Sequence, residues 1–258
     1  MAHARRTYRA LFRAGDLAYF QVKVKETDLS IGVRANRFNT ELVWLVEKKV
    51  KEERAQLESY IERDPVFLKT LQPHRPLPDA PKIAVDMAEA ATAAGVGPMA
   101  AVAGAFADLV GRLLVRFSRD VVVENGGDVY LKTTRKRTVG IYAGNSPLSN
   151  RVALEILPGQ SPLGICTSSA TVGHSLSFGS ADAAVILANT ATLADAVATA
   201  TCNLVQAAED IEKALSFAVG INGVSGAVIV IGEHIGARGK VKLVPLNQNS
   251  LCSDNSLR

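Results

Sequence analysis

The chain has 258 residues, 48% of them apolar and 21% charged, which is enough apolar surface for a substantial core and too much for a disordered chain. Its net charge of +4 comes from lysines and arginines scattered along the chain rather than banded with aromatics, so a nucleic-acid partner is not expected, while a small anionic ligand is allowed. Three widely spaced cysteines, Cys166, Cys202 and Cys252, form neither a disulfide framework nor a CxxC metal knuckle.

In chain order, the first sixteen residues carry arginines but no apolar signal core, and the expected compartment is the cytoplasm. "TYRALFRAGDLAYFQVKVKETDLSIGV" reads as a β-meander, since Phe20, Val22 and Val24 alternate with Gln21, Lys23 and Lys25. "NTELVWLVEKKVKEERAQLESYIERDP" predicts a long amphipathic helix, capped by Asn39 or Thr40, with Leu42, Val46, Val50, Leu57 and Ile61 on one face. Residues of about 72–81 are a proline-rich connector. Two alanine-rich helices follow, at about Lys82 to Ala94 and Met99 to Phe117; Asp108 and Arg112 break the longer apolar run, so no membrane span is expected.

Strands are predicted at Val121–Glu124, Val129–Lys132, Val139–Ala143, Val152–Leu157 and Gly164–Thr167, with "TTRKRT" (Thr133 to Thr138) as a solvated hairpin tip. "ADAAVILANT" is an apolar strand feeding one long helix or two abutting ones, and "GAVIVIGEHIGARGKVKLVPL" closes as a hairpin. Residues of about 247–258 read as a flexible tail. The whole predicts one α+β domain, 1–258, of antiparallel sheets with packed helices. The alanine-rich helices could pack internally or form the seam of a homodimer.

Chemistry concentrates in three stretches. "ENGGDVYLK" places Asn125, Gly126, Gly127 and Asp128 between β-branched runs; it is a hairpin turn or a backbone cradle for a phosphate-bearing ligand. "GICTSSATVGHSLSFG" gathers hydroxyls, including Thr167, Ser168, Ser169 and Thr171, behind an apolar strand end, a segment suited to holding an anionic group. In the same stretch Cys166 could be a nucleophile with a lowered pKa and His174 its base, or simply a small buried hydrophobe. "NTATLADAVATA" offers Thr190 or Thr192 as a helix cap and puts Asp195 and Thr199 four residues apart on one helical face. That pair could share a hard cation, or could serve only the helix itself. Glu26 and Asp28 could belong to a polar site floor or to an exposed strand edge.

The order "NGGDVYLK", "TSS" and "NTATLADAVATA" resembles the ApbE superfamily of flavin transferases, which move FMN from FAD to a protein hydroxyl with magnesium. The match is closer to an uncharacterised, cytoplasmic ApbE-like family, through "ETDL" (Glu26 to Leu29), "GPMAAVAGA" (Gly97 to Ala105), "ENGGD" and "CTSS" with "VGHSLSFG". The resemblance implies an ApbE-like fold, a flavin (FAD or FMN) or other nucleotide-like ligand with phosphate or carboxylate groups, and a divalent cation such as Mg. It puts Gly126, Gly127 and Asp128 at the nucleotide turn, Thr167, Ser168 and Ser169 on the neighbouring loop, and Asp195 and Thr199 at the metal. A transferase of ApbE type, a thiol enzyme using Cys166 and a non-catalytic ligand-binding protein are the functional alternatives.

Overall fold

The structure, a computed structural model, describes residues 14–171 and 178–246. His174 and the expected tail over 247–258 lie outside the described residues. Eight strands form one antiparallel sheet in the order β1-β2-β3-β4-β7-β8-β9-β10. They run over Leu17–Val24, Thr27–Arg34, Val121–Asn125, Asp128–Lys132, Leu163–Ser168, Ala183–Ala188, Val224–Ile231 and His234–Gly239. A second sheet of three strands has the order β11-β6-β5, with β5 at Arg137–Gly140, β6 at Val152–Ile156 and β11 at Leu243–Pro245.

Strand alternation divides the core into two layers. Ile31, Val121, Val123, Tyr130, Ile186 and Ile229 face the helices. Leu131, Ile165, Val185, Leu187 and Val228 face the small sheet, where Ile141, Leu154 and Ile156 meet them. The helices are α1 (Thr40–Arg63), α2 (Pro65–Lys69), α3 (Lys82–Ala94), α4 (Val102–Leu114), α5 (Ala191–Leu204) and α6 (Ile211–Gly220). The α+β class with antiparallel sheets and packed helices is therefore as expected.

Local signals explain the element ends. Asn39 caps α1 by accepting from Leu42 N–H at 3.0 Å, and Leu42, Val46, Val50 and Leu57 are buried as the periodicity required. Pro65 does not merely stop α1; it opens the short α2 at a first-turn position, where its missing N–H costs nothing. The connector is held to α1 through Asp64, which accepts from Tyr60 Oη at 2.6 Å and lies 2.8 Å from His74 Nε2. No single described helix is long and apolar enough to cross a bilayer. The α3 and α4 segments pass such a test together, yet bend by 102°, and most of their apolar residues are buried within the chain.

Two expectations need correction. "TTRKRT" is not a hairpin tip, because β4 belongs to the large sheet and β5 to the small one. The segment crosses between layers and is anchored on Asp120, which is fully buried. Its carboxylate accepts from Arg34 Nε at 2.5 Å, Thr133 Oγ1 at 3.0 Å, Thr134 N–H at 2.6 Å and Thr134 Oγ1 at 2.9 Å. Burial would raise its pKa, but these donors outweigh it and hold the carboxyl well below the usual range. Likewise the last hairpin ends at β10, and "KLVPL" leaves to pair with β6.

Asp120 thus closes the joint between the sheets. Asp120→Ala is expected to cost about 3 kcal/mol or more, since it strips the donors of Arg34, Thr133 and Thr134 of their common buried acceptor. Urea unfolding measures this; a loss below about 1 kcal/mol, the worth of an ordinary exposed pair, would remove Asp120 from that role.

Candidate functional site

The site grows from the N-terminal end of α5. Thr190 caps the helix by accepting from Leu193 N–H at 3.1 Å. Asp108, from α4, completes the cap. It is buried and accepts from Ala191 N–H and Thr192 N–H, both at 2.9 Å, and from Thr192 Oγ1 at 2.7 Å. A carboxylate at a helix N-terminus satisfies donors that the helix leaves open and complements its dipole. Burial nonetheless raises the Asp108 pKa against these bonds.

The same crossing fixes Asp195. A Cβ built on Gly104 would lie 2.2 Å from Ala191 O and 2.8 Å from Asp195 Cβ, so only glycine allows α4 this close to α5. The uncovered Gly104 N–H then donates to Asp195 Oδ2 at 2.8 Å. Asp195 is half-buried. Burial raises its pKa to about 7, against the bonds from the Gly104 and Ala103 backbone that lower it. Thr199 follows one turn along, also half-buried.

The β3–β4 turn reaches the site from the sheet. Gly126 and Gly127 take φ of 72° and 112°, the positive values a two-residue hairpin turn demands. Gly127 N–H donates to Glu124 Oε1 at 2.9 Å, and Asn125 Nδ2 donates to Ala103 O at 3.1 Å. The glycines therefore serve the turn, and at least one backbone donor that an anion cradle would use is already engaged. Asn125 is a strut from the turn to α4.

Asp128, in contrast, is no exposed turn residue. It is 7% exposed, on the helix-facing side two residues before Tyr130. The register Val129↔Ile165, continued one step, sets it opposite Cys166. Its pKa is raised well above normal, first by burial and then by the charge of Asp195, with Glu124 adding to the repulsion. The Cys166 thiol and Thr167 N–H bond to the carboxyl and oppose that rise. Its Oδ1 is buried and has no hydrogen-bond partner among the described residues.

Cys166 is fully buried, and its Sγ lies 3.2 Å from Ala191 O. One S–H proton thus has two acceptors, that carbonyl and Asp128. Burial and the nearby Asp128, Asp195 and Asp108 push the thiol pKa well up. This is the reverse of the lowered pKa expected for a nucleophile at a strand end, because the surroundings supply carboxylates instead of free N–H groups.

Thr167 runs beside the turn, its carbonyl 3.7 Å from a Cβ built on Gly127. Ser168 shares the helix-facing side with Cys166; it is buried, and its Oγ has no partner among the described residues. Ser169 and Thr171 point their bonding elsewhere, since Thr171 N–H donates to Ser169 Oγ at 3.1 Å and Thr171 Oγ1 to Asp182 Oδ1 at 3.1 Å. Glu26 and Asp28 stand apart: Arg54 holds Glu26 at 2.6 Å, and Gln21 donates to Asp28 at 2.6 Å. The structure thus brings together Asn125, Gly126, Gly127, Asp128, Cys166, Thr167 and Asp195.

An antiparallel sheet backed by helices, with a carboxylate-lined junction at one helix start, defines the class; sequence comparison supplies the family. The family model described as "AbpE bacteria" matches residues 9–236, and the chain belongs to that family. It is 40% identical to a UPF0280 protein of Methanococcus vannielii over 226 residues, covering 86% of this chain and 90% of the relative. A UPF0280 protein of Methanopyrus kandleri is 42% identical over 226 residues, covering 85% and 90%. Among solved structures, the ApbE protein of Thermotoga maritima aligns with a TM-score of 0.56 at 14% identity, over 87% of this chain and 97% of that one. The flavin transferase ApbE of Vibrio cholerae gives 0.53 at 12% identity, over 86% of this chain and 96% of that one. At such identity these show a shared fold.

Two consequences can be measured. Folded Asp195 binds its proton up to about pH 7, whereas unfolded Asp loses it near about 4. The folded state therefore holds more protons across this window, and stability in chelator falls as pH rises, by at most about 1.4 kcal/mol per unit for each proton. Urea unfolding between about pH 5 and 7 should show that fall, with a flatter profile for Asp195→Asn; equal slopes would contradict it. Iodoacetamide, for its part, should label Cys166 in the native protein only at the rate of local opening; labelling as fast as in urea would show an accessible thiolate.

Proposed function

We propose that this protein binds a flavin or another phosphate-bearing nucleotide together with a divalent cation, at the junction of the β3–β4 turn, the end of β7 and the first turns of α5. One observation carries the reading. Asp128 and Asp195 stand close enough for the charge of Asp195 to oppose ionisation of Asp128 in a site with little water, and Asp128 Oδ1 and Ser168 Oγ are buried without partners among the described residues. Such a site repels a bare phosphate. It favours a cation, and a nucleotide that arrives with one.

The donors suit a hard cation of the magnesium type, which prefers oxygen ligands and keeps waters and ligand phosphates in its shell. Among the described residues no group of three or more His, Cys, Asp or Glu side chains forms a closed metal cluster. Asp195, oriented by Gly104 N–H, and Thr199 one turn on would hold the cation. When bound, the cation would neutralise charge developing on a bridging phosphate. Ser168 offers a hydroxyl to the same ligand, and the glycine turn keeps side chains out of its path. The family's fold, shared with the flavin transferase ApbE of Vibrio cholerae, makes one reaction class the first to test: a dinucleotide's pyrophosphate bond breaks, one phosphoryl passes to an acceptor hydroxyl, and the other half leaves as the nucleoside monophosphate. Cys166 as nucleophile is the weaker reading, given its burial and raised pKa.

Calorimetric titration and flavin fluorescence with FAD, FMN and ATP test this, each with Mg²⁺ and with chelator. Binding of at least one nucleotide with Mg²⁺, weakened about tenfold or more by chelation, is expected from the loss of a bridging cation. No heat and no fluorescence change for any nucleotide with Mg²⁺ would end the reading.

A further inference from the structure

Asp128 does more than begin the strand after a turn. Resting on the cation reading above, we infer that Asp128 is itself a cation ligand, offering Oδ1 beside the carboxylate of Asp195.

The carboxyl is oriented, since Thr167 N–H and the Cys166 thiol engage it, yet Oδ1 is buried without a partner among the described residues. In the bare protein an ionised Oδ1 lacks a donor, which leaves a buried charged atom unpaired. Arg112 is a basic group that approaches this end of the helix pair, but it lies 3.8 Å from Asp108 and its side chain is itself exposed. What surrounds the orphan oxygen is negative or hydroxylic: Asp195 and Glu124 act on Asp128 through their charge, and Ser168 Oγ on the same sheet face is also unpartnered among the described residues.

A cation at this point resolves both defects together. It supplies the missing partner to Oδ1 and turns the Asp128–Asp195 repulsion into a shared attraction. The backbone is built to present the pair. The register of β4 on β7 places Asp128 opposite Cys166, and the Cys166 thiol and Asp195 both belong to the contact of α5 with its neighbours, through Ala191 O and Gly104 N–H. With two protein carboxylates at one junction, the metal alone is expected to bind measurably.

The test uses the full chain and the metal alone. Calorimetric titration with MnCl₂ is run on the wild type, Asp128→Asn and Asp195→Asn, with the melting temperature of each in chelator recorded alongside. Asp128→Asn should bind Mn²⁺ at least about tenfold more weakly while melting no lower than wild type in chelator, because removing one of two crowded carboxylates relieves the metal-free protein. Unchanged Mn²⁺ affinity in Asp128→Asn, with Asp195→Asn weakened, overturns this assignment and leaves the cation reading standing. Unchanged affinity in both variants overturns the cation reading as well. Should Asp128→Asn fail to fold, Mn²⁺ electron–nuclear double resonance on wild-type protein carrying carboxyl-labelled aspartate decides. Couplings from two aspartates support the assignment, and a coupling from one alone contradicts it.

Discussion

The contact between α4 and α5 at Gly104 fixes where Asp195 can be. With no Cβ to intervene, the α4 backbone lies against Ala191, and its bare N–H reaches the Asp195 carboxylate. Asp108, one turn further along α4, ties down the first N–H groups of α5. Three bonds from Asp108 to the helix start, with those from the Gly104 and Ala103 backbone to its second turn, leave α5 little freedom to rotate. The chemistry open to the site follows from that rigidity, because Asp195 is thereby delivered to the same sheet face as Asp128.

Carboxylates crowded in a site of low polarisability are costly for a fold that gains nothing from them. Several acids elsewhere among the described residues have cationic partners. Asp120 has Arg34 and two threonines, Asp16 has Arg137 and Glu155 has Lys242. Asp128 and Asp195 depart from this pattern, and their raised pKa values are the signature of that departure. Strain of this kind persists where function requires it. The negative field also orders the chemistry, because a phosphate group enters favourably only with its charge offset.

Much of the architecture was legible in the sequence, for identifiable reasons. Period-two alternation located the strands, Asn39 and Thr190 marked their helices, and the paired glycines specified a turn. Alanine-rich composition allowed the two helices to pack internally, although it did not show that Gly104 would hold Asp195. The layer crossing at Thr133 and Thr134 was missed because the acid that anchors it, Asp120, lies on the far side of a hairpin. The site was legible in its parts rather than its assembly. Asp195 and Thr199 could be paired from helical spacing, but the meeting of Asp128, Cys166 and Asp195 depends on the β4–β7 register, which no local pattern specifies. Asp108 as the cap of α5 was equally hidden, since a cap donated from another helix leaves no mark next to the helix it serves.

A cation held between the β4 carboxylate and the α5 carboxylate is the central claim. Anomalous diffraction from crystals grown with Mn²⁺ and FAD locates such an ion without reference to activity. The expected result is a manganese peak within coordination distance of Asp195, with Asp128 Oδ1 turned toward it. A well-occupied nucleotide with manganese bound at neither aspartate would contradict it.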